Sequence, residues 1–275
     1  MIVIISIVIS YGLIYSSYYS LSKYSDSPLL GIFLQSPATL INLFFSVIGL
    51  VIIFKYKNNI KRKEIMISII LASLIWITVQ SSYYYNNWVP NIPYYDPTIN
   101  ALQVFFMSLG FFALNIDTPK FSFLNAKNYN FRSIILGLVL GLVFGLANLA
   151  FFIFVYGEQL QIGNIIYGCL RALQPGIMEE VAYRLFFMGS SVLILRKYLT
   201  KNIADITSII MAILFHAIPH AYLIILSNPT SAIITIAVLS ILFGLPMTVI
   251  AYKRGIETSI IFHWTIDAIR FVLIG

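Results

Sequence analysis

Apolar runs follow one another along the chain. Most are about 20 residues long, the length that crosses the hydrocarbon core of a bilayer. In order they fall near residues 2–16, 37–54, 65–82, 98–115, 133–156, 160–197, 203–226, 231–252 and 256–274. They predict an all-α polytopic transmembrane helical bundle of eight or nine spans. The alternating short segments of a membrane β-barrel are missing from the pattern. The first run lacks a basic start and a small-residue cleavage site, so it reads as a span rather than a signal peptide. After the third run come Tyr83, Tyr84, Tyr85, Trp88, Pro90, Pro93 and Pro97, the composition of an interfacial belt and an irregular loop. The run at 160–197 is the longest and contains Pro175-Gly176. That pair predicts a broken helix, with a new helix starting at the interruption.

Composition supports a lipid solvent: 60% of residues are hydrophobic and 10% charged. The net charge of +7 does not indicate nucleic acid, because the basic residues sit in short loops between spans. Lys55, Lys57, Lys61, Arg62, Lys63, Lys120, Lys127, Arg132, Arg196, Lys197, Lys201, Lys253 and Arg254, 13 of the 17 basic residues, fall in alternate loops, after the second, fourth, sixth and eighth runs. Lys23 alone falls on the other side. This bias predicts a cytoplasmic N-terminus and nine crossings, in what reads as a prokaryotic cell membrane. The single cysteine, Cys169, excludes an internal disulfide and a cysteine metal cage. Gly137, Gly141 and Gly145 recur every four residues in the fifth run, a stripe that lets two helices approach closely. No long linker or fixed repeat divides residues 1–275, which read as one transmembrane domain.

Against this background the segment Gln174-Pro-Gly-Ile-Met-Glu-Glu-Val-Ala-Tyr-Arg184 stands out. Charge at membrane depth is costly and is usually tied to function. Placed after Pro175-Gly176, Glu179 and Glu180 would occupy a first helical turn, where free N–H groups favour carboxylates. Arg184, four residues after Glu180, is within ion-pair reach on the same face. Glu179 is rotated about 100° around the axis and stays available. Taken alone, the group also suits a structural ion pair between helices. The chain's three histidines, His216, His220 and His263, all lie in apolar segments of the last third. His216 and His220 share a face, as do His263 and Asp267. Asp267 can equally pair with Arg270, three residues on.

Glu-Glu-x-x-x-Arg at 179–184, a histidine span, and His-x-x-x-Asp at 263–267 resemble the three motifs of the CPBP family, which includes CAAX prenyl endopeptidases and the bacteriocin-processing Abi proteins. The resemblance covers residues 160–274 and makes 158–275 a peptidase-like core behind variable N-terminal spans, 1–157. Two positions depart from the family pattern. The third motif usually ends in Asn, here Asp267; and Phe-x-x-x-His has no clean match, so His216 is preferred and His220 is the alternative.

The resemblance implies an intramembrane endopeptidase cleaving a membrane-associated or prenylated peptide. Glu179 would be the general base, His216 would position the same water, and Arg184 would hold Glu180. His263 would stabilise the oxyanion, oriented by Asp267. A metal-free site is the preferred reading, since a Glu-activated water suffices and Arg184 would oppose a cation. The alternative is a divalent metal such as zinc on Glu179, His216 and His263, with His220 as a further donor, although the His-Glu-x-x-His helix is absent. The rival classes are an ion- or proton-coupled transporter, and a non-enzymatic immunity or scaffold protein on the same fold. One expectation is awkward. Glu180 lies about 25 Å from the end of its run near Lys197, while His263 lies only about 10 Å from Glu257. Helix tilt or a sunken turn at Gly255 must bring them level.

Overall fold

The computed structural model describes residues 37–85, 97–114, 131–221, 224–225 and 228–274. The first apolar run, the Trp88–Pro93 loop, and Lys120 and Lys127 lie outside them. The described residues are helical, with no strand among them. We number the helices α1 (Pro37–Tyr56), α2 (Arg62–Tyr85), α3 (Pro97–Ala113), α4 (Phe131–Tyr156), α5 (Ile165–Glu179), α6 (Gly189–Leu195), α7 (Lys201–His220), α8 (Pro229–Leu239), α9 (Leu245–Arg254) and α10 (Ile256–Leu273). Two stretches of wider π winding join consecutive helices: Glu180–Met188 between α5 and α6, and Ser240–Gly244 between α8 and α9. Among the described residues, five helices are long and apolar enough to cross a membrane: Leu40–Asn59, Arg62–Ser81, Phe131–Phe154, Lys201–His220 and Pro229–Arg254. Two of the three helical runs that carry the candidate site, Ile165–Leu195 and Ile256–Leu273, are outside that set, while α7, with His216 and His220, is in it. They hold Arg171, Glu179, Glu180, Arg184, Glu257, Asp267 and Arg270.

The expected break at Pro175-Gly176 is not where the helix starts. Asn164 caps α5, its side chain accepting from the Tyr167 N–H at 3.0 Å, and helix then runs through Pro175. Proline removes the N–H that would bond the Arg171 carbonyl, but packing keeps the helical path. Gly176 lies against the backbone of Trp264: an added Cβ would meet the Trp264 N at 3.2 Å. This glycine is therefore a contact point between α5 and α10. The interruption comes four residues later, as the change from α to π winding at Glu180. Glu179 and Glu180 consequently lie mid-helix, not in a first turn with free N–H groups.

The glycine stripe packs α4 on α10. A Cβ on Gly141 would sit 2.6 Å from the Thr265 Cβ, one on Gly137 2.9 Å from the Thr258 carbonyl, and one on Gly145 2.5 Å from Ile269 Cδ1. Gly110 does the same for α3 on α1, where its Cβ would be 2.6 Å from the Gly49 Cα. The core between α1, α7 and the first π segment is aromatic: Phe187 lies 5.2 Å from Phe45 and 4.4 Å from Phe215, centroid to centroid. Helix α10 thus meets α4 on one side and α5 on the other, which fixes the height of His263 against Glu180.

The turn between α9 and α10 resolves the mismatch in depth. Gly255 takes φ +104°, a conformation open to glycine and strained for other residues. Ile256, Thr258 and Ser259, immediately after it, are buried. The turn is sunk into the protein, so His263 reaches Glu180 within two helical turns of its start.

Candidate active site

Glu180 is fully buried and fully engaged. Its Oε1 accepts from Arg184 Nη1 at 3.1 Å and faces His263 Nδ1 at 3.0 Å. Its Oε2 accepts from the Ser259 hydroxyl at 2.6 Å. Arg184, also fully buried, extends this network. Nε donates to Thr248 Oγ1 at 3.4 Å, Nη2 approaches the Met247 sulfur at 3.6 Å, and Nη1 lies 3.3 Å from His216 Nδ1. An Arg–carboxylate pair in a low-dielectric interior depends on partners for its remaining donors and acceptors; here Thr248, Met247 and His216 face the Arg184 donors and Ser259 and His263 the Glu180 oxygens. Three elements therefore converge on Glu180 and Arg184: the π segment, the α9–α10 hairpin and α7.

Glu179 presents the opposite case. Its Oε2 is buried without a hydrogen bond, yet three imidazole nitrogens surround it. His216 Nδ1 lies at 3.1 Å, His220 Nε2 at 3.8 Å and His263 Nε2 at 3.9 Å. These nitrogens contact Oε2 without completing a hydrogen bond to it, and buried oxygens so placed are rare and costly, so this atom is suited to receiving a group from the cavity beside it. That cavity has a volume of about 600 Å³ and is lined by Glu179, His216, His220, His263, Asp267 and Arg270, with apolar walls from α4, α8 and the second π stretch such as Phe144, Phe151, Ile234 and Leu242.

Each residue singled out in the sequence lies in this cluster. Glu180 and Arg184 pair as their spacing predicts, and His263 and Asp267 share a face, with Nε2 3.4 Å from Asp267 Oδ2. Asp267 also pairs with Arg270 at 3.1 Å, so the structural and the functional partner are both present. Both His263 nitrogens are already directed at carboxylates, Glu180 and Asp267. To donate to an oxyanion, His263 would have to leave Asp267. His216 and His220 both face Glu179, and their rings are 5.1 Å apart.

Glu179, His216 and His220 each offer a ligand atom within 4.8 Å of one another, so the donor set and the orphaned Oε2 fit a divalent cation. This triad has His220 where the sequence suggested His263, which Glu180 and Asp267 already hold. Arg184 Nη1, 3.3 Å from His216 Nδ1, places positive charge against that position.

Sequence reasoning missed four contributors: Ser259, Thr248, Arg270 as a cavity residue, and Asn148, which lines the cavity from α4. Ser259 carried a signal, standing four residues before His263 on the same helix face. Arg270 was visible only as a partner of Asp267, while Thr248 and Asn148 become neighbours of the site through tertiary packing.

Residues 161–269 match the family model described as type II CAAX prenyl endopeptidase Rce1-like. Over this stretch the chain is similar to that family. The match agrees with the motif resemblance, and all seven of the candidate residues, from Glu179 to Asp267, fall inside it. No curated protein and no solved structure matches the chain. Within the matched residues the first motif lies at the α-to-π junction, the histidine pair on α7 and the third motif on α10.

Proposed function

We propose that this protein is an intramembrane endopeptidase that cleaves a membrane-associated or lipidated peptide, with Glu179 as general base. The observation that carries the reading is the Glu179 Oε2 atom, buried, without a hydrogen bond and ringed by three histidines at the wall of a cavity. A water held between Glu179 and His216 loses a proton to Glu179 as its oxygen attacks the scissile carbonyl. The tetrahedral oxyanion is within reach of His220, the histidine whose side chain is most exposed to the cavity. The proton on Glu179 then passes to the departing amine, and the C–N bond breaks. Such a proton relay needs one group competent in both directions. Arg184, Glu180 and Ser259 hold His263 and His216 in place from behind. Asp267 fixes the other face of His263. A divalent cation, where bound, would be held by Glu179, His216 and His220 and would supply Lewis-acid polarisation of water or carbonyl.

The apolar walls from α4 and α8 suit a lipid chain or an apolar peptide, as a family named for prenylated substrates implies. The test is turnover by purified protein in detergent of a peptide whose cysteine, fourth from its end, carries a farnesyl group. Cleavage that Glu179→Gln abolishes supports the reading. Absence of cleavage together with ion or proton flux in proteoliposomes would replace it with the transporter reading.

A further inference from the structure

We infer that the site cavity opens to the extracytoplasmic side of the membrane, so that the substrate is an exported, membrane-attached peptide; the substrate half of this inference rests on the peptidase reading above. The two ends of the bundle differ in charge. At one end the Arg196 guanidinium and the Tyr252 hydroxyl meet on Asp205, which brings together the end of α6, the start of α7 and the end of α9. Lys197, Lys201, Lys253 and Arg254 belong to the same segments. Arg132 joins them, because Gly137, five residues on, packs against Thr258 at the start of α10. The segments that connect the opposite ends of the helices, 157–164 and 221–229, contain no lysine or arginine, and neither do the residues after Leu273. Basic residues in short loops mark the cytoplasmic side of a membrane protein. The Asp205 end is therefore the cytoplasmic one.

The cavity lies toward the other end. On α7 it is lined by His216 and His220, and it continues to Ile224, beyond the end of that helix. His220 is nineteen residues from Lys201, about 28 Å along the axis. Its side chain is 47% exposed, whereas those of His216 and His263, deeper in the site, are 5% and 6% exposed. Toward Asp205 the site is closed. Glu180, Arg184, Thr248 and Ser259 are fully buried and bonded to one another, a sealed polar layer on the cytoplasmic side of Glu179. A peptide that reaches Glu179 thus arrives past His220. Its apolar part lies along the walls from α4 and α8, which keeps it at the membrane while the scissile bond enters from outside. A polypeptide that ends in the cytoplasm does not meet this entrance, and one carried across the membrane does.

Cysteine labelling decides the sidedness without any turnover. In a Cys169→Ser background, which removes the chain's single cysteine, Ile224→Cys marks the cavity mouth and Lys201→Cys the Asp205 end. Intact cells carrying each variant are treated with a charged maleimide that does not cross the membrane, and the label is compared with that after permeabilisation. Ile224→Cys should take nearly all of its final label in intact cells, and Lys201→Cys almost none. Label on Lys201→Cys in intact cells, or none on Ile224→Cys until permeabilisation, overturns the inference. Thr230→Cys and Lys253→Cys, at exposed positions of the same two ends, repeat the comparison without touching the cavity wall. The farnesylated fluorogenic peptide, added outside sealed proteoliposomes of unequal orientation, then tests the substrate. The share of activity present before detergent should equal the share of molecules whose Thr230→Cys is labelled from outside. Equality with the Lys253→Cys share instead overturns the inference. Cleavage absent even in detergent removes the peptidase reading and the substrate half with it, while the labelling pattern still upholds or overturns the extracytoplasmic opening.

Discussion

Glu179 and Glu180 are adjacent in sequence, and replacing each by glutamine should have opposite consequences. At position 180 the carboxylate accepts from Arg184, His263 and Ser259 at 3.1, 3.0 and 2.6 Å, with both members of the Arg184 pair fully buried. Glutamine fits the space. Its carbonyl can face Arg184 and His263, and its amide can face Ser259, whose hydroxyl then turns to the Met247 carbonyl at 3.0 Å. What is lost is the negative charge opposite a buried guanidinium. Leaving such a cation uncompensated costs about 3–5 kcal/mol, and the retained carbonyl acceptor places Glu180→Gln at the lower end of that range. For a chain of this size, that corresponds to a fall in Tm on the order of 10 °C. At position 179 no hydrogen bond to Oε2 is lost and the side chain is partly open to the cavity. Glu179→Gln should therefore unfold within about 2 °C of the parent, since the change breaks none of the interactions behind large destabilisations. It should still lose about 10²–10⁴ in turnover, the usual worth of a general base. Thermal unfolding in detergent, followed by tryptophan fluorescence beside a peptide-cleavage assay, separates the two effects. Equal destabilisation by both substitutions, or a Glu180→Gln protein as stable as the parent, would refute the assignment of one carboxylate to structure and the other to chemistry.

Among the histidines, His216→Ala should remove activity nearly as fully as Glu179→Gln, and the double variant should add little, because residues acting as one unit are not additive. His220→Ala should retain measurable cleavage at a rate reduced by about 10²-fold, the loss of one oxyanion donor; a wild-type rate would free it from the reaction. Gly141→Val should unlatch α4 from α10, since even a Cβ would stand 2.6 Å from the Thr265 Cβ; a loss of about 1–3 kcal/mol is expected for overpacking, read as a lower Tm. At the other end of the bundle, Asp205 takes two hydrogen bonds from Arg196 at 2.9 Å each and one from the Tyr252 hydroxyl. Asp205→Asn should lower Tm while leaving KM unchanged, and an altered KM would tie that clamp to the substrate path. A reporter fused after Arg254 should read cytoplasmic by the positive-inside bias, and an external signal would invert the topology.

The residues at spacings of four were legible before any coordinates: Glu180 with Arg184, His216 with His220, His263 with Asp267. Helical geometry alone puts such pairs on one face. The ends of α4 and α10, and the outer ends of the run from α8 to α9, followed from hydrophobic run length in the same way, whereas α7 stops at His220, short of the expected 226. Pro175 was misleading because punctuation is a local signal, whereas the contact of Gly176 with the Trp264 backbone is a tertiary one that keeps the chain helical. The π winding at Glu180 leaves no composition mark, and so the carboxylates were assigned to a helix start. Thr248 looks in sequence like an ordinary residue of a span, and Arg270 shows only its spacing from Asp267, not its place at the cavity. Their roles depend on α9 folding back at Gly255 and on α10 rising beside α4.

The division between the five apolar helices and the two runs that carry the charged cluster bears on biogenesis. Ile165–Leu195 and Ile256–Leu273 are the stretches that a lipid bilayer would accept least readily by themselves, because a carboxylate or guanidinium at a helix centre adds about 2.5–3.5 kcal/mol to insertion. Each supplies what the other lacks: Arg184 and Glu180 on the first, and His263, Asp267 and Arg270 on the second. During synthesis about 75 residues separate Glu180 from Gly255. Until the last helix emerges, the Glu180 cluster has no His263 or Ser259 to meet. Until then the first run balances its charge through the Arg184–Glu180 pair alone, and α10 completes the network with Ser259 and His263.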